Sequence, residues 1–119
     1  MTKGQVEAKI SEAVSQFEIE YMGRGPKQIK TTLLQDLIVI RLKGFLSQSE
    51  RKLAENPQGV ELLKKVRSTL FESSKDYLEE LIKKVIHIEI VSTFSDVSTK
   101  SGEKIIVIVV SQNIENQFK

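Results

Sequence analysis

Apolar residues between Pro57 and Val85 recur at steps of three, four or seven: Val60, Leu63, Val66, Leu70, Tyr77, Leu81 and Val85, with Phe71, Leu78 and Ile82 widening the row. Glu61, Lys64, Lys65, Arg67, Glu72, Lys75, Glu79 and Lys83 fall between them. This spacing predicts one long amphipathic helix over 57–85, half-buried against a sheet. Unbroken, such a helix measures about 43 Å, whereas a strand of seven or eight residues spans only about 25 Å. The helix therefore bends, with Ser73-Ser74 as the weak point, or overhangs the sheet. An overhanging stripe is most simply covered by a second copy of the chain.

The same reading orders the rest. Residues 2–21 form a first helix with Val6, Ile10, Ala13, Val14, Phe17 and Tyr21 on its apolar face and Glu18 among the charges pointing elsewhere. It stops at Gly23-Arg24-Gly25-Pro26, where glycine supplies a positive φ and proline cannot continue the helix. Strands over 27–34 and 37–42 make a hairpin about Gln35-Asp36. Gly44 ends the second strand, and Ser47-Gln48-Ser49-Glu50 fits a capping box opening a short helix over 48–55. Asn56-Pro57 is the start signal of the long helix. Strands over 88–94 and 104–111 follow, joined by the turn-rich stretch 96–102; the run Ile105 to Val110, apolar on both faces, reads as a central strand. The tail 112–119 is polar and expected to fray. Helix–hairpin–helices–hairpin is an α+β order: a mainly antiparallel four-stranded sheet with helices on one face.

A chain of 119 residues suits one domain with one core. The absence of cysteine excludes a disulfide framework and thiolate metal sites and fits a reducing, cytoplasmic setting. The first residues lead straight into a polar helix pattern without an apolar signal core. The longest apolar run is six residues, against about 20 for a membrane-spanning helix.

Charge is unevenly spread. Residues 22–52 carry Arg24, Lys27, Lys30, Arg41, Lys43, Arg51 and Lys52 against Asp36 and Glu50, a local +5 in a chain of +2 overall. Such a sector attracts phosphate, nucleic acid or anionic lipid; the plainer reading, and the weightier, is solvated strand edges.

Two stretches carry what candidate chemistry there is. In Gly23-Arg24-Gly25-Pro26-Lys27, backbone amides and two cations can approach a phosphate, although no nucleotide-loop template matches and a helix stop explains the residues as well. Asp96, Ser98, Thr99 and Lys100 concentrate hydroxyls about one carboxylate, a ligand-binding pattern that serves more often to satisfy its own turn. His87 is the only histidine and suits a helix C-terminal cap; no catalytic constellation and no metal-ligand set emerges. The aromatics fall mostly on core-facing positions, which counts against nucleic acid.

With those residues in view, the chain resembles the MpsC-like family, formerly a domain of unknown function and now described as a component of a sodium-translocating, membrane-potential-generating system. The resemblance is carried by Gly23-Arg24-Gly25-Pro26 with Asp36 to Gly44, and by Ser95 to Glu103 with its apolar strand. Leu46 to Ala54 and Leu78 to Ile82 add to it. It implies an accessory or regulatory subunit working beside a membrane-protein partner. Joined to the missing catalytic constellation and the overhanging helix stripe, it favours a non-enzymatic binding or assembly protein without cofactor, self-associating as a dimer. The alternative is a small-ligand or nucleotide-binding regulator whose contacts are Arg24 and Lys27. In either case the Gly23–Lys27 and Asp96–Gly102 stretches are expected to share one rim.

Overall fold

The computed structural model describes residues 1–118. Its elements are α1 (Lys3–Tyr21), β1 (Gln28–Leu34), β2 (Leu37–Lys43), α2 (Gln48–Leu53), α3 (Pro57–Ile86), β3 (Ile90–Ser98) and β4 (Glu103–Val110). All strand pairs are antiparallel, in the order β1-β2-β4-β3, so the two hairpins meet along the β2–β4 seam. The α+β architecture expected from the element order is the one observed, and β4 is central as its apolar run required.

Alternation decides what faces the helices. Leu33, Ile38, Ile40, Leu42, Ile106, Ile108 and Val110 turn inward and meet Val6, Ile10, Val14 and Phe17 of α1 and Phe71, Leu78, Ile82 and Ile86 of α3. A satellite cluster of Phe45, Leu46 and Leu63 closes the far end under α2.

Local signals fix the boundaries. Thr2 and Gln5 cap α1 reciprocally, and Ser47 and Glu50 do the same for α2. The Asn56 carboxamide accepts from Gly59 N–H at 2.8 Å at the start of α3. His87 ends α3 in the left-handed region (φ 56°), its N–H bonded to Lys83 O.

Four expectations are corrected. The stripe of α3 is rotated in its first half: Leu63, Arg67, Phe71, Ser74 and Leu78 are buried, while Leu62, Val66 and Leu70 are exposed. The cause is the α2–α3 corner, where a Cβ at Gly59 would lie 1.6 Å from Leu53 O. That close approach turns the row 59–63–67–71 inward. Second, β3 runs to Ser98, so Asp96 and Ser98 are strand residues and only 99–102 form the turn. Third, Glu18 lies inside the core and Tyr21 outside it.

Fourth, the tail does not fray over 112–118; Lys119 lies outside the described residues. Ile114 is fully buried, and its N–H donates to Gln35 O at 2.8 Å. Glu115 Oε1 accepts from Gln35 N–H at 2.8 Å. Gln35 takes φ 56° in the β1–β2 turn, so the tail clamps a turn that lacks the glycine its geometry favours.

Candidate functional site

The strand register brings the two sequence-selected stretches to one end of the sheet. Gln28 of β1, Lys43 of β2, Glu103 of β4 and Ser98 of β3 form a single cross-strand row. Lys27 N–H donates to Lys43 O at 2.9 Å, and Gly44 N–H donates to Gly102 O at 3.0 Å. Gly44 has φ 71° and no room for a side chain, because the Lys27 methylenes would lie 2.8 Å from a Cβ there. Lys43-Gly44 thus joins the glycine–arginine corner to the serine-rich turn.

What each corner offers differs. Arg24 and Lys27 flank a groove of about 370 Å³ that Leu46, Gln48 and Arg51 complete. None of the three cations has an ion-pair partner among the described residues, and no carboxylate lines the groove. Gly23, with φ 86°, and Pro26 shape the loop, while Gly25 packs against Ile19. In the other corner the polar groups serve the turn itself. Ser98 O and Oγ accept from Gly102 N–H and Ser101 N–H, and Asp96 Oδ1 accepts from Val97 N–H. Asp96 also meets Lys64 of α3 at 3.4 Å. Thr99 and Lys100 make no side-chain hydrogen bond or ion pair among the described residues.

The basic sector of residues 22–52 is dispersed by the fold. Lys30, Arg41 and Lys43 gather on the sheet, where Arg41 and Lys43 pair with Glu103; Lys52 meets Glu55; and Arg24, Lys27 and Arg51 converge in a separate groove without a carboxylate. The Arg41 hydrogen bond lowers the Glu103 carboxyl pKa, against a smaller opposing effect of burial; the charges of Arg41 and Lys43 add to the lowering.

Three further charged residues were not singled out by the sequence reading. Lys104 Nζ donates to Glu18 Oε2 at 2.8 Å with both side chains sealed from solvent, and Glu18 Oε1 is left without a partner. The Lys104 ammonium also lies 5.1 Å from the Phe71 ring centre. Burial pushes its pKa down; Glu18 works against that, and the nearby Arg67 charge works with it. Arg67 itself makes a forked bond to both oxygens of Glu50, at 2.7 and 2.8 Å, and stacks on Phe45 at 4.6 Å. Lys104 and Arg67 floor a cleft of about 330 Å³ between α3 and β3, with Lys64 and Asp96 at its mouth. A usable signal existed. Glu18 continues the row Val6–Ile10–Val14 at four-residue spacing, and Lys104 continues the alternation of Ile106 and Ile108. A charge standing in phase with a core row marks a buried pair.

The backbone places His87 at the exposed end of α3. Among the described residues no three His, Cys, Asp or Glu side chains converge as a metal set, and no helix is long and apolar enough to cross a membrane.

A family model described as Na+-translocating membrane potential-generating system (MpsC) matches residues 2–112. The chain belongs to the MpsC family. It is 32% identical over 118 residues to the uncharacterized protein YbcI of Bacillus subtilis (strain 168), covering 99% of this chain and 95% of YbcI. It is 27% identical over 115 residues to the uncharacterized protein YrhF of the same strain, covering 92% and 90%. No solved structure matches at a significant level. The family span takes in both corners of the rim, the Glu18–Lys104 pair and all of α3, while the tail contacts of Ile114 and Glu115 lie beyond it.

Proposed function

We propose that this MpsC chain is a non-enzymatic assembly subunit of a sodium-translocating, membrane-potential-generating system. It works from the cytoplasmic side, by contact with membrane-embedded partners rather than by carrying ions. The observation that supports this reading is the exposed row Leu62, Val66 and Leu70 on α3. Three large apolar side chains at four-residue spacing, with Lys65 and Thr69 beside them, line a shallow groove that the chain's own core leaves bare. This is the surface by which a helix docks on another helix. The kind of partner is taken from the family's description.

The test is a cell that carries this protein. Deleting the gene should lower the sodium-dependent potential read by a voltage-sensitive dye, and the wild-type gene should restore it. A Val66→Asp/Leu70→Asp chain should not restore it while remaining folded by circular dichroism. An unchanged potential after deletion contradicts the proposal.

One observation favours a second reading. Arg24, Lys27 and Arg51 converge on a groove free of carboxylates, which suits a phosphate-bearing small ligand such as a nucleotide. Such a ligand raises the melting temperature by mass action. Arg24→Ala should abolish the shift seen with ATP or pyrophosphate; a shift that survives excludes Arg24 as a contact.

A further inference from the structure

The helices cover one face of the sheet and leave the other open. Three cross-strand rows compose the open face's chemistry. Thr32, Val39, Val107 and Phe94 form a middle row; Leu34, Leu37, Val109 and Ser92 lie to one side of it, and Lys30, Arg41, Ile105 and Asp96 to the other. Phe94 is 59% exposed, Leu34 47% and Ile105 36%. Beyond the charged row, Lys43 and Glu103 end the face. The face is therefore apolar at one end of its strands and charged at the other. At the charged end, basic groups sit on β1 and β2 and acidic groups on β4 and β3. Within one chain Glu103 already meets Arg41 and Lys43, and Asp96, on the edge strand with its side chain 79% exposed, reaches Lys64 of α3, whereas Lys30 has no ion-pair partner among the described residues.

We propose that this face binds the same face of a second copy, with the twofold axis running parallel to the strands above the β2–β4 seam. That operation lays β1 over the partner's β3 and β2 over its β4 without reversing the strand ends. Val39 meets the partner's Val107, and the apolar ends stack. Lys30 meets the partner's Asp96, and Lys43 meets its Glu103. A shallow groove of about 400 Å³ lined by Lys30, Arg41 and Lys43 receives those carboxylates. The other in-plane axis, across the strands, stacks Lys43 and Glu103 on Leu37 and Val109 and buries charge on hydrocarbon, a costly arrangement. Sign and position thus select one orientation. This surface is separate from the α3 row, and the inference does not depend on the assembly role proposed above.

The whole chain is tested by sedimentation equilibrium over a range of concentrations. A dimer is expected, and the exposed change Phe94→Glu should raise its dissociation constant by about tenfold or more. Lys30→Glu and Asp96→Lys should each weaken it. Within one chain these residues stand three strand spacings apart, about 14 Å, and cannot pair. Dimerisation regained in the Lys30→Glu/Asp96→Lys double variant therefore reports contact between copies. A monomer at every concentration, or a dimer indifferent to Phe94→Glu, overturns the interface. A double variant no tighter than the single ones overturns the strand-parallel axis.

Discussion

Lys104 and Glu18 form a 2.8 Å ion pair inside a core of apolar side chains, joining the start of β4 to the last turn of α1. Desolvating two charges costs nearly as much as their attraction returns, so the pair specifies how α1 meets the sheet more than it stabilises the fold. Removing one partner strands the other. Glu18→Gln or Lys104→Met alone should cost about 3–5 kcal/mol, whereas Glu18→Leu/Lys104→Met together should come close to wild type or exceed it. Urea denaturation of the three variants measures both effects.

Arg67 and Glu50 predict the acid limb of the stability curve. Burial raises the Glu50 carboxyl pKa, but its bond to the Ser47 amide and the hydrogen bonds and charge of Arg67 outweigh that, and the net pKa falls below the ordinary 4.5. A carboxyl with a depressed folded pKa contributes stability that is complete above its unfolded pKa and is lost as pH falls through the folded value. Glu103 follows the same rule through Arg41. Stability should therefore decline below about pH 4.5, and Glu50→Gln should flatten part of that decline; denaturant midpoints measured between pH 7 and pH 3 check it.

The α2–α3 corner depends on a missing side chain. Gly59→Ala places a methyl against Leu53 O, a backbone atom that cannot rotate aside. The substitution should destabilise by well over the cost of a surface change, about 2 kcal/mol or more, by prising α2 from α3. Gly4→Ala, in the first turn of α1 with nothing within 4 Å, should gain about 0.4–1 kcal/mol by narrowing the unfolded chain's freedom. Thermal melts of the two variants should move in opposite directions.

Ile114 anchors the tail beneath the β1–β2 turn. Ile114→Ala should cost about 2–5 kcal/mol, the usual range for a buried isoleucine. Because its backbone and that of Glu115 also hold Gln35, a chain ending at Ser111 should lose amide-exchange protection first at Gln35 and its neighbours.

Much of this was legible in the chain because local chemistry and global fold agree. The capping residues Ser47, Glu50 and Asn56, the glycine stop after Tyr21 and the β-branched run at Ile38 each name their element without help from the rest. The shared end of the sheet followed from hairpin connectivity, which returns Gly44 beside Gly102. The first half of α3 was not legible, since rows 62–66–70 and 63–67–71 are equally periodic and only the fit of Gly59 under Leu53 chooses between them. The anchored tail was hidden for a related reason. Ile114 stands alone among polar residues, and its burial site is assembled from segments distant in sequence. For the rim, Arg51 was legible only as one charge of the basic sector, because a helix turn carries it to Arg24 and Lys27 from more than twenty residues away.

The proposed pairing of the open sheet face with its own counterpart admits a direct chemical test. The chain has no cysteine, so a single introduced thiol reports unambiguously. Packed sheets lie about 10 Å apart, within reach of a short bismaleimide. Val107→Cys should cross-link into a covalent dimer in high yield, and Leu62→Cys on α3 should not. No cross-link through Val107→Cys, or one equally strong through Leu62→Cys, would contradict the face-to-face pairing.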